Sequence, residues 1–281
     1  MFYSVKVFSH IKSAVSTDNY YKSMNDALAR LNDEYTMLHY PFHVNEGESF
    51  FDAQKNLTDH CMSLLPPVEG KNILEIGCGN GIQAHYIFEK YSPGSLTAVD
   101  LNSSNIEIAK MQARKNGGEN IRFHIDDAQE LSTIESNSMD YIINIESAFH
   151  YPDKPAFFRE IARVLKPGGT YLIADILATP RRRSIFGKYW KKRMQLNHWS
   201  KLNYEEELPK ASLHIHSFSD ITGEVIQSFS NYRSWLRTMK KNHFISDSFL
   251  KLYYTINVRL NIRLLRRRRQ YCIIVGGKQD L

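Results

Sequence analysis

A strand followed by a glycine-rich turn restricts the possible folds of this chain more than any other feature. The segment from Asn72 to Gly81 reads NILEIGCGNG, and a helical pattern follows from Ile82 to Lys90. The first five residues have the apolar, β-branched character of a buried parallel strand. Glycine at every second position then tolerates positive φ angles and lets a ligand approach the backbone closely. A strand, a glycine turn and a helix start form a cradle for a nucleotide-like ligand. The next strand-like run ends at Asp100, about 20 residues further on, where a carboxylate can accept hydrogen bonds from both hydroxyls of a ribose.

The spacing of the glycines separates this turn from a dinucleotide-binding fingerprint. Gly77, Gly79 and Gly81 give G-x-G-x-G in place of G-x-G-x-x-G, and Glu75 lies two residues before the first of them. An acidic side chain at this point suits the zwitterionic methionine tail of S-adenosylmethionine, a ligand without a pyrophosphate. A glycine-rich turn alone also fits other doubly wound folds. Together with Glu75 and Asp100, the segment resembles the class I S-adenosylmethionine-dependent methyltransferases.

This resemblance implies S-adenosylmethionine as cofactor and S-adenosylhomocysteine as product. Gly77 and Gly79 would lie against the cofactor, and Asp100 would bind its ribose. The run beginning at Asp127, DAQEL, is similar to the adenine-binding segment of the family. Asp127 is the matching position, where a carboxylate can accept a hydrogen bond from an exocyclic amine, and the Ala128 N–H can meet a ring nitrogen. Leu101 is expected to flank the adenine or the ribose. A role for Asp127 as a helix N-cap is compatible with this assignment.

Strand and helix patterns alternate through residues 72–175. Strands are predicted near 72–76, 95–100, 121–125, 139–145 and 170–175, and helices near 82–90, 103–116 and 153–165. Residues 166–169, with sequence KPGG, are predicted to form a turn into the fifth strand. Short connections and apolar strands indicate a parallel sheet with helices on both faces. Further along we predict a strand at 213–218, helices over 205–210, 219–238 and 246–266, and an antiparallel edge strand at 271–275. The predicted fold class is therefore α/β, with the Rossmann-like seven-stranded sheet of class I methyltransferases.

Residues 1–70 lack this alternation and are predicted to form an N-terminal helical cap before a methyltransferase domain at 71–281. Leu38-His39-Tyr40, with tyrosines such as Tyr20 and Tyr21, resembles a segment that closes over the cofactor in small-molecule methyltransferases. A loop that simply packs on the domain is the alternative. Residues 176–202 are basic and aromatic, and in this fold class an insertion after strand five commonly forms part of a substrate lid.

The loop that leaves the fourth strand carries the candidate catalytic residue His150. Histidine titrates near neutral pH and can take a proton from an attacking hydroxyl. Asp175 ends the predicted fifth strand at the same edge of the sheet and can orient the imidazole or bind a substrate hydroxyl. Asn144, in the fourth strand, is expected to contact the cofactor. The alternative is that His150 only packs on the cofactor and that positioning of the reactants supplies the rate.

Positive charge is concentrated in two segments. Residues 181–201 contain eight Lys or Arg, residues 259–269 contain six Arg, and neither segment contains Asp or Glu. The net charge of +6 would be −8 without these 14 residues. Such local patches can contact an anionic ligand or the surface of a membrane, while the acidic remainder makes a nucleic-acid partner unlikely. A solvated basic helix with buried aromatic residues is the plainer interpretation.

The sequence thus predicts a methyltransferase that acts at a hydroxyl of a small molecule or lipid, as in the phenolic-glycolipid and natural-product methyltransferases that it resembles. Methylation of nitrogen or carbon, an RNA methyltransferase, and a non-catalytic cofactor-binding or membrane-attached module are the alternatives. Three widely spaced cysteines predict neither disulfides nor a zinc site and favour a cytoplasmic protein. His214 and His216 can share a strand face, but no further ligand completes a known spacing, so we predict no metal. The sequence does not define the oligomeric state.

Overall fold

The computed structural model describes residues 25, 35–45, 47–115, 118, 120–179, 196–231 and 247–279. The helices are α1 (Phe50–Ser63), α2 (Ile82–Tyr91), α3 (Ser103–Lys115), α4 (Lys154–Val164), α5 (Lys201–Glu207), α6 (Thr222–Ser230) and α7 (Asp247–Arg268). The strands are β1 (Asn72–Ile76), β2 (Ser95–Asp100), β3 (Ile121–Ile125), β4 (Met139–Ile145), β5 (Leu165–Ala178), β6 (Leu213–Asp220) and β7 (Arg269–Lys278). Single 3₁₀ turns at Ala148–His150 and Pro209–Ala211 complete the described elements.

The seven strands form one sheet in the order β3-β2-β1-β4-β5-β7-β6. β1 pairs in parallel with both β2 and β4, so the chain moves outward from β1 to β3 and then returns to the other side of β1. This reversal places a topological switch point between β1 and β4, where ligands bind in open α/β sheets. The predicted α/β class and seven-stranded sheet are confirmed.

The prediction that the last strand lies at the edge was wrong. β7 is inserted between β5 and β6 and runs antiparallel to both, so β6 forms the edge. The apolar run Cys272–Val275 is buried on both faces, as an internal strand requires. In β6 by contrast every position after Leu213 is half-buried or exposed.

The fifth strand is longer than predicted. Leu165 pairs with Met139 and Thr170 pairs with Tyr141, so the segment Lys166–Gly169, predicted as a turn, forms an irregular bulge within β5. Gly168 has a φ of +70°, which a bulge accommodates readily. At its other end β5 continues to Ala178 because β7 supplies partners as far as Arg269. The first residues of the predicted lid therefore belong to the sheet.

Two hydrophobic layers cover the sheet. Alternation along β1 sends Ile73 into the layer under α1, α2, α3, α6 and α7, and Leu74 into the layer under α4 and α5. In α4, Phe157 and Phe158 are completely buried. The chain is thereby held on both faces while the carboxyl ends of β1, β2 and β4 converge at one edge. Within the described part of the chain, no helix has the length and apolar character needed to cross a membrane.

Several predicted features lie outside the described residues. These are Tyr20, Tyr21, most of the helix predicted near 20–32, the basic and aromatic residues of the lid at 181–193, and the end of the helix predicted to reach 238.

Candidate cofactor and acceptor site

The glycine turn after β1 and the carboxylate after β2 are in direct contact. Asp100 Oδ2 accepts a hydrogen bond from the Gly79 amide at 2.9 Å, and its Oδ1 accepts one from the Asn102 amide at 2.9 Å. Asn105 Nδ2 also donates to Oδ1 at 3.2 Å. Gly77 and Gly79 have φ angles of +75° and +54°, a region that glycine enters at little cost. Asp100, which is predicted to bind the ribose, therefore also fixes the shape of the glycine turn.

The exit of β4 closes over Gly77. Asn144 Nδ2 donates to the Ile76 carbonyl at 2.9 Å and to Ser147 Oγ at 2.6 Å. Ser147 Oγ and the Tyr151 hydroxyl are 2.8 Å apart. A Cβ atom at Gly77 would overlap the Ser147 side chain and lie 3.1 Å from the Tyr151 hydroxyl. The sequence analysis named Asn144 but did not name Ser147 or Tyr151. The only available signal was that these polar residues follow Asn144 closely, by three and seven positions, at the exit of the same strand.

Glu75 presents an acidic group from β1 beneath this turn. Its side chain is 2% exposed, and Oε2 is buried without a hydrogen-bond partner among the described residues. Burial, reinforced by the nearby charge of Asp100, raises the pKa of Glu75 from 4.5 to about 8. A buried polar atom without a partner is costly, so this carboxyl group is suited to a cationic ligand group that the described part of the chain does not supply.

The segment after β3 forms the predicted adenine end of the site. Asp127 Oδ1 accepts hydrogen bonds from the amide and the side-chain nitrogen of Gln129, both at 2.9 Å. Ala128 is buried, while the side chain of Leu101, which directly follows β2, is 66% exposed. The neighbouring Asp126 is occupied with the amides and hydroxyls of Ser132 and Thr133. The turn is thus held by Asp126, and Asp127 is the carboxylate assigned to the adenine.

The N-terminal residues reach the glycine turn. A Cβ atom at Gly79 would lie 2.9 Å from Leu38 Cδ1, so Leu38 covers this glycine. Asn80 Nδ2 donates to Asn25 Oδ1 at 2.9 Å, and Asn25 Nδ2 donates to Asn105 Oδ1 at 2.9 Å. This relay of amides joins the N-terminal segment to the residue that holds Asp100. Sequence reasoning predicted coverage by Leu38 but missed the asparagines, which lie 55 and 80 residues from Asn25.

The Met37–His43 loop is fixed between α1 and the end of β4. Gln54 Nε2 donates to the carbonyls of Met37 and His39, both at 2.7 Å. The Tyr40 amide donates to Glu146 Oε1 at 2.6 Å. Glu146 has a φ of +52°, and burial raises its pKa to about 8. Residues with a strained backbone, such as Glu146 at the exit of β4, often lie at functional sites.

The two predicted catalytic residues lie in different elements, His150 in a 3₁₀ turn and Asp175 in β5. His150 ends the 3₁₀ turn Ala148–His150, and its ring centroid is 4.4 Å from that of Phe149. Asp175 lies within β5, is fully buried, and accepts a hydrogen bond from the Tyr204 hydroxyl at 2.6 Å. Burial raises the pKa of Asp175, although the positive charge of Lys154 opposes this shift. The hydrogen bond from Tyr204 therefore joins Asp175 to α5.

The residues that return from the predicted lid pack beside this turn. The His198 ring stacks on Phe149 with centroids 5.2 Å apart, and its Nδ1 lies 2.5 Å from the Ile176 carbonyl. The buried Lys154 ammonium donates to the Asn197 carbonyl at 2.5 Å. Segment 196–200 is thus fixed between the His150 turn and β5, next to the predicted acceptor side of the site.

Glu75 predicts a pH dependence of stability. Between pH 4.5 and 8 the unfolded chain has lost the Glu75 proton that the folded chain retains, so stability should fall as pH rises through this window. In Glu75→Gln this contribution disappears, and the variant should gain stability over the wild type as pH rises, by on the order of 3 kcal/mol at pH 8. Thermal unfolding between pH 5 and 8 measures the effect, with the exposed Glu69→Gln as the control variant. A parallel pH profile for Glu75→Gln and wild type would contradict the assignment.

The fold and the site together define a class I S-adenosylmethionine-dependent methyltransferase. The chain matches a family model described as a methyltransferase domain over residues 67–240, and it belongs to that family. The buried carboxyl group of Glu75 fits the cofactor of the family, since it offers an acidic partner for the ammonium group of the methionine part.

Two relatives each match less than half of the chain. A fatty-acid O-methyltransferase of Mycolicibacterium smegmatis is 38% identical over 122 residues, which cover 43% of this chain and 42% of that protein. A probable phthiotriol/phenolphthiotriol dimycocerosates methyltransferase 2 of Mycobacterium ulcerans is 38% identical over 117 residues, or 42% of this chain and 44% of that protein. The matches thus span less than half the length of these relatives.

Similarity to solved structures extends over more of the chain. The crystal structure of a putative sarcosine dimethylglycine methyltransferase from Galdieria sulphuraria superposes with a TM-score of 0.75 at 19% identity. The match covers 87% of this chain and 94% of that one. At this identity the likeness confirms the fold.

Proposed function

We propose that this chain transfers the methyl group of S-adenosylmethionine to a hydroxyl of a lipid or other small molecule. The observation that carries the proposal is the contact of Asp100 with the Gly79 amide, beside the buried Glu75 carboxyl group that has an oxygen without a partner. The names of two relatives, a fatty-acid O-methyltransferase and a dimycocerosates methyltransferase, support a lipid acceptor.

Each part of the site has a proposed role. Glu75, Gly77, Gly79 and Asp100 hold the methionine and ribose parts of the cofactor, and Leu101, Asp127 and Ala128 hold its adenine. Asn144 keeps Ser147 and Tyr151 against the glycine turn. Tyr20 and Tyr21 are retained as proposed contacts from the N-terminal cap of residues 1–70. Bound S-adenosylmethionine supplies an electrophilic methyl group.

His150 is the proposed base, and Asp175 is a proposed catalytic partner that acts on the acceptor side. When bound, S-adenosylmethionine would supply the methyl group to the acceptor oxygen, and the hydroxyl proton would pass to the His150 imidazole. The loop that carries His150 would also position the acceptor oxygen for this transfer. The stacking of Phe149 with His198 gives this loop a defined position.

The His150→Gln variant should separate base catalysis from positioning. Loss of a general base should lower kcat by roughly 100-fold or more, while S-adenosylhomocysteine affinity stays within about twofold because the glycine turn is untouched. Steady-state kinetics and calorimetry measure the two effects, with His124→Gln in β3 as the matched control. A kcat within a few-fold of wild type would show that positioning alone supplies the rate.

The acceptor class is tested with radiolabelled S-adenosylmethionine in a fractionated extract of the source cell. Label should enter the organic-soluble or small-molecule pool and be lost in Asp100→Ala. Alkali-stable label in an ether, or alkali-labile label in an ester, would identify methylation at oxygen. Label confined to RNA or protein would contradict the proposal.

We propose further that the part of residues 176–202 that follows β5 forms a lid, and that the basic segments 181–201 and 259–269 contact an anionic ligand or surface. A cytoplasmic location is proposed as well. It is supported by the three thiols Cys61, Cys78 and Cys272, which are buried and free.

A further inference from the structure

Helix α7 presents an exposed face of mixed character. Arg259, Arg263 and Arg267 are exposed on it, and Ile256 and Leu260 are 56% and 50% exposed beside them. These five residues are three or four positions apart, so they lie along one stripe of the helix. On the opposite side, Val258 and Leu265 are 7% and 4% exposed and anchor the helix to the core. The helix is therefore attached by one face and leaves a basic and aliphatic face outward.

Nothing on this face neutralises its charge within the described part of the chain. None of the ion pairs among the described residues involves Arg259, Arg263 or Arg267, or the neighbouring exposed Arg266. The sequence contains no Asp or Glu between Asp247 and Asp280. A stripe of arginines without carboxylate partners produces a local positive potential suited to a negatively charged surface.

We infer that this face of α7 docks on the surface of a bilayer that contains anionic lipid. Arginines near such a surface each gain free energy from its negative potential. The exposed Ile256 and Leu260 enter the boundary between headgroups and acyl chains, as in interfacial helices. A nucleic-acid backbone would use the arginines but gain nothing from two aliphatic side chains in the same stripe. The aliphatic residues therefore favour a lipid surface.

The docking face is connected to the site by one residue. The Tyr40 hydroxyl donates to Asn261 Oδ1 of α7 at 3.1 Å, and the Tyr40 amide donates to Glu146 at the exit of β4. Helix α7 therefore lies between a bilayer docked on its outer face and the Tyr40 loop beside the site. Docking on a bilayer would bring the enzyme to a lipid acceptor. The inference rests on the proposed function only in taking that acceptor to be a lipid.

Vesicle sedimentation with the full chain tests the surface directly. The wild type should bind phosphatidylcholine vesicles that contain phosphatidylserine, and bind pure phosphatidylcholine far less. The variant R259Q/R263Q/R267Q should lose roughly 100-fold in partition coefficient, since each arginine contributes about fivefold at an anionic surface. Retained binding in this variant would overturn the inference.

A charge-matched control comes from α3, where Lys110, Arg114 and Lys115 are also exposed. K110Q/R114Q/K115Q removes the same charge from another face and should bind vesicles within about threefold of wild type. An equal loss in both triple variants would show a response to net charge alone and would overturn the assignment of the face.

The aliphatic contribution is tested by I256S/L260S. This variant should bind anionic vesicles at least tenfold less tightly, and the loss should persist at high salt because burial of aliphatic groups is not screened. No loss, or RNA binding that vesicles do not displace, would reject the bilayer as the partner. S-adenosylhomocysteine affinity should be unchanged in every variant. If the wild-type chain bound vesicles but methylated no lipid, the proposed function would fail while the docking face stood.

Discussion

Asp100→Ala is expected to weaken S-adenosylhomocysteine binding by about 100-fold. The carboxylate holds the turn through the Gly79 and Asn102 amides and is also the proposed acceptor for the ribose hydroxyls. Hydrogen bonds to a charged group contribute about 1.5–3 kcal/mol each. Loss of two such bonds corresponds to about 100-fold in affinity, since 1.4 kcal/mol is tenfold. Isothermal titration calorimetry measures the change.

Asp140→Ala is the matched control for this variant. Asp140 also accepts a hydrogen bond from a backbone amide, that of Asn72, at 2.8 Å, and it pairs with Lys166 at 2.9 Å. It lies at the opposite end of the sheet, near the start of β4. Its removal should lower stability slightly and leave cofactor affinity unchanged. Equal affinities of the Asp100→Ala and Asp140→Ala variants would exclude Asp100 from the cofactor site.

Gly77→Ala is expected to abolish measurable methyl transfer and to destabilise the fold by about 2–3 kcal/mol. Alanine at a φ of +75° costs about 1–2 kcal/mol. Its Cβ would also overlap the Ser147 side chain, which Asn144 holds in place. The turn must therefore shift at the point where the cofactor approaches the backbone. Activity, cofactor affinity and chemical denaturation measure the three consequences.

Two companion variants separate these causes. Gly168 has a φ of +70° and no atom within 4 Å of an added Cβ, so Gly168→Ala should cost about 1 kcal/mol and leave activity intact. Ser147→Gly in the Gly77→Ala background removes the overlapping side chain and should recover part of the stability. If Gly168→Ala and Gly77→Ala were equally active, close packing at Gly77 would have no role in the site.

The elements that could be predicted from the sequence are those determined by the residues within a short segment. The strand, the glycine turn and the position of Asp100 follow from a run of some 30 residues whose hydrophobic pattern and glycine spacing have few structural solutions. The same local reasoning failed at Lys166–Gly169. Proline and glycine there indicate a turn, yet pairing of Leu165 with Met139 draws the segment into β5 as a bulge.

Other parts of the site depend on contacts between distant residues and left no local signal. Asn25 joins Asn80 and Asn105 through side-chain amides that are ordinary polar residues in the sequence. Glu146 lies beside Ser147 in a segment that could be compared with known motifs, but its contact with Tyr40 spans 106 residues. The internal position of β7 was missed because its apolar run is equally consistent with a central or an edge strand until its partners are known.

The position of β7 determines when the sheet can be completed during folding. Its pairing with β5 joins residues about a hundred positions apart, from Thr170 with Gly277 to Ala178 with Arg269. Until β7 is available, β5 has an open edge and β6 has no strand beside it. Such non-local pairing requires closure of a long loop before its contacts form, which slows folding. On the ribosome, the first five strands would thus emerge with an unpaired edge, and the final strand would close the sheet only after nearly all of this sequence had been synthesised.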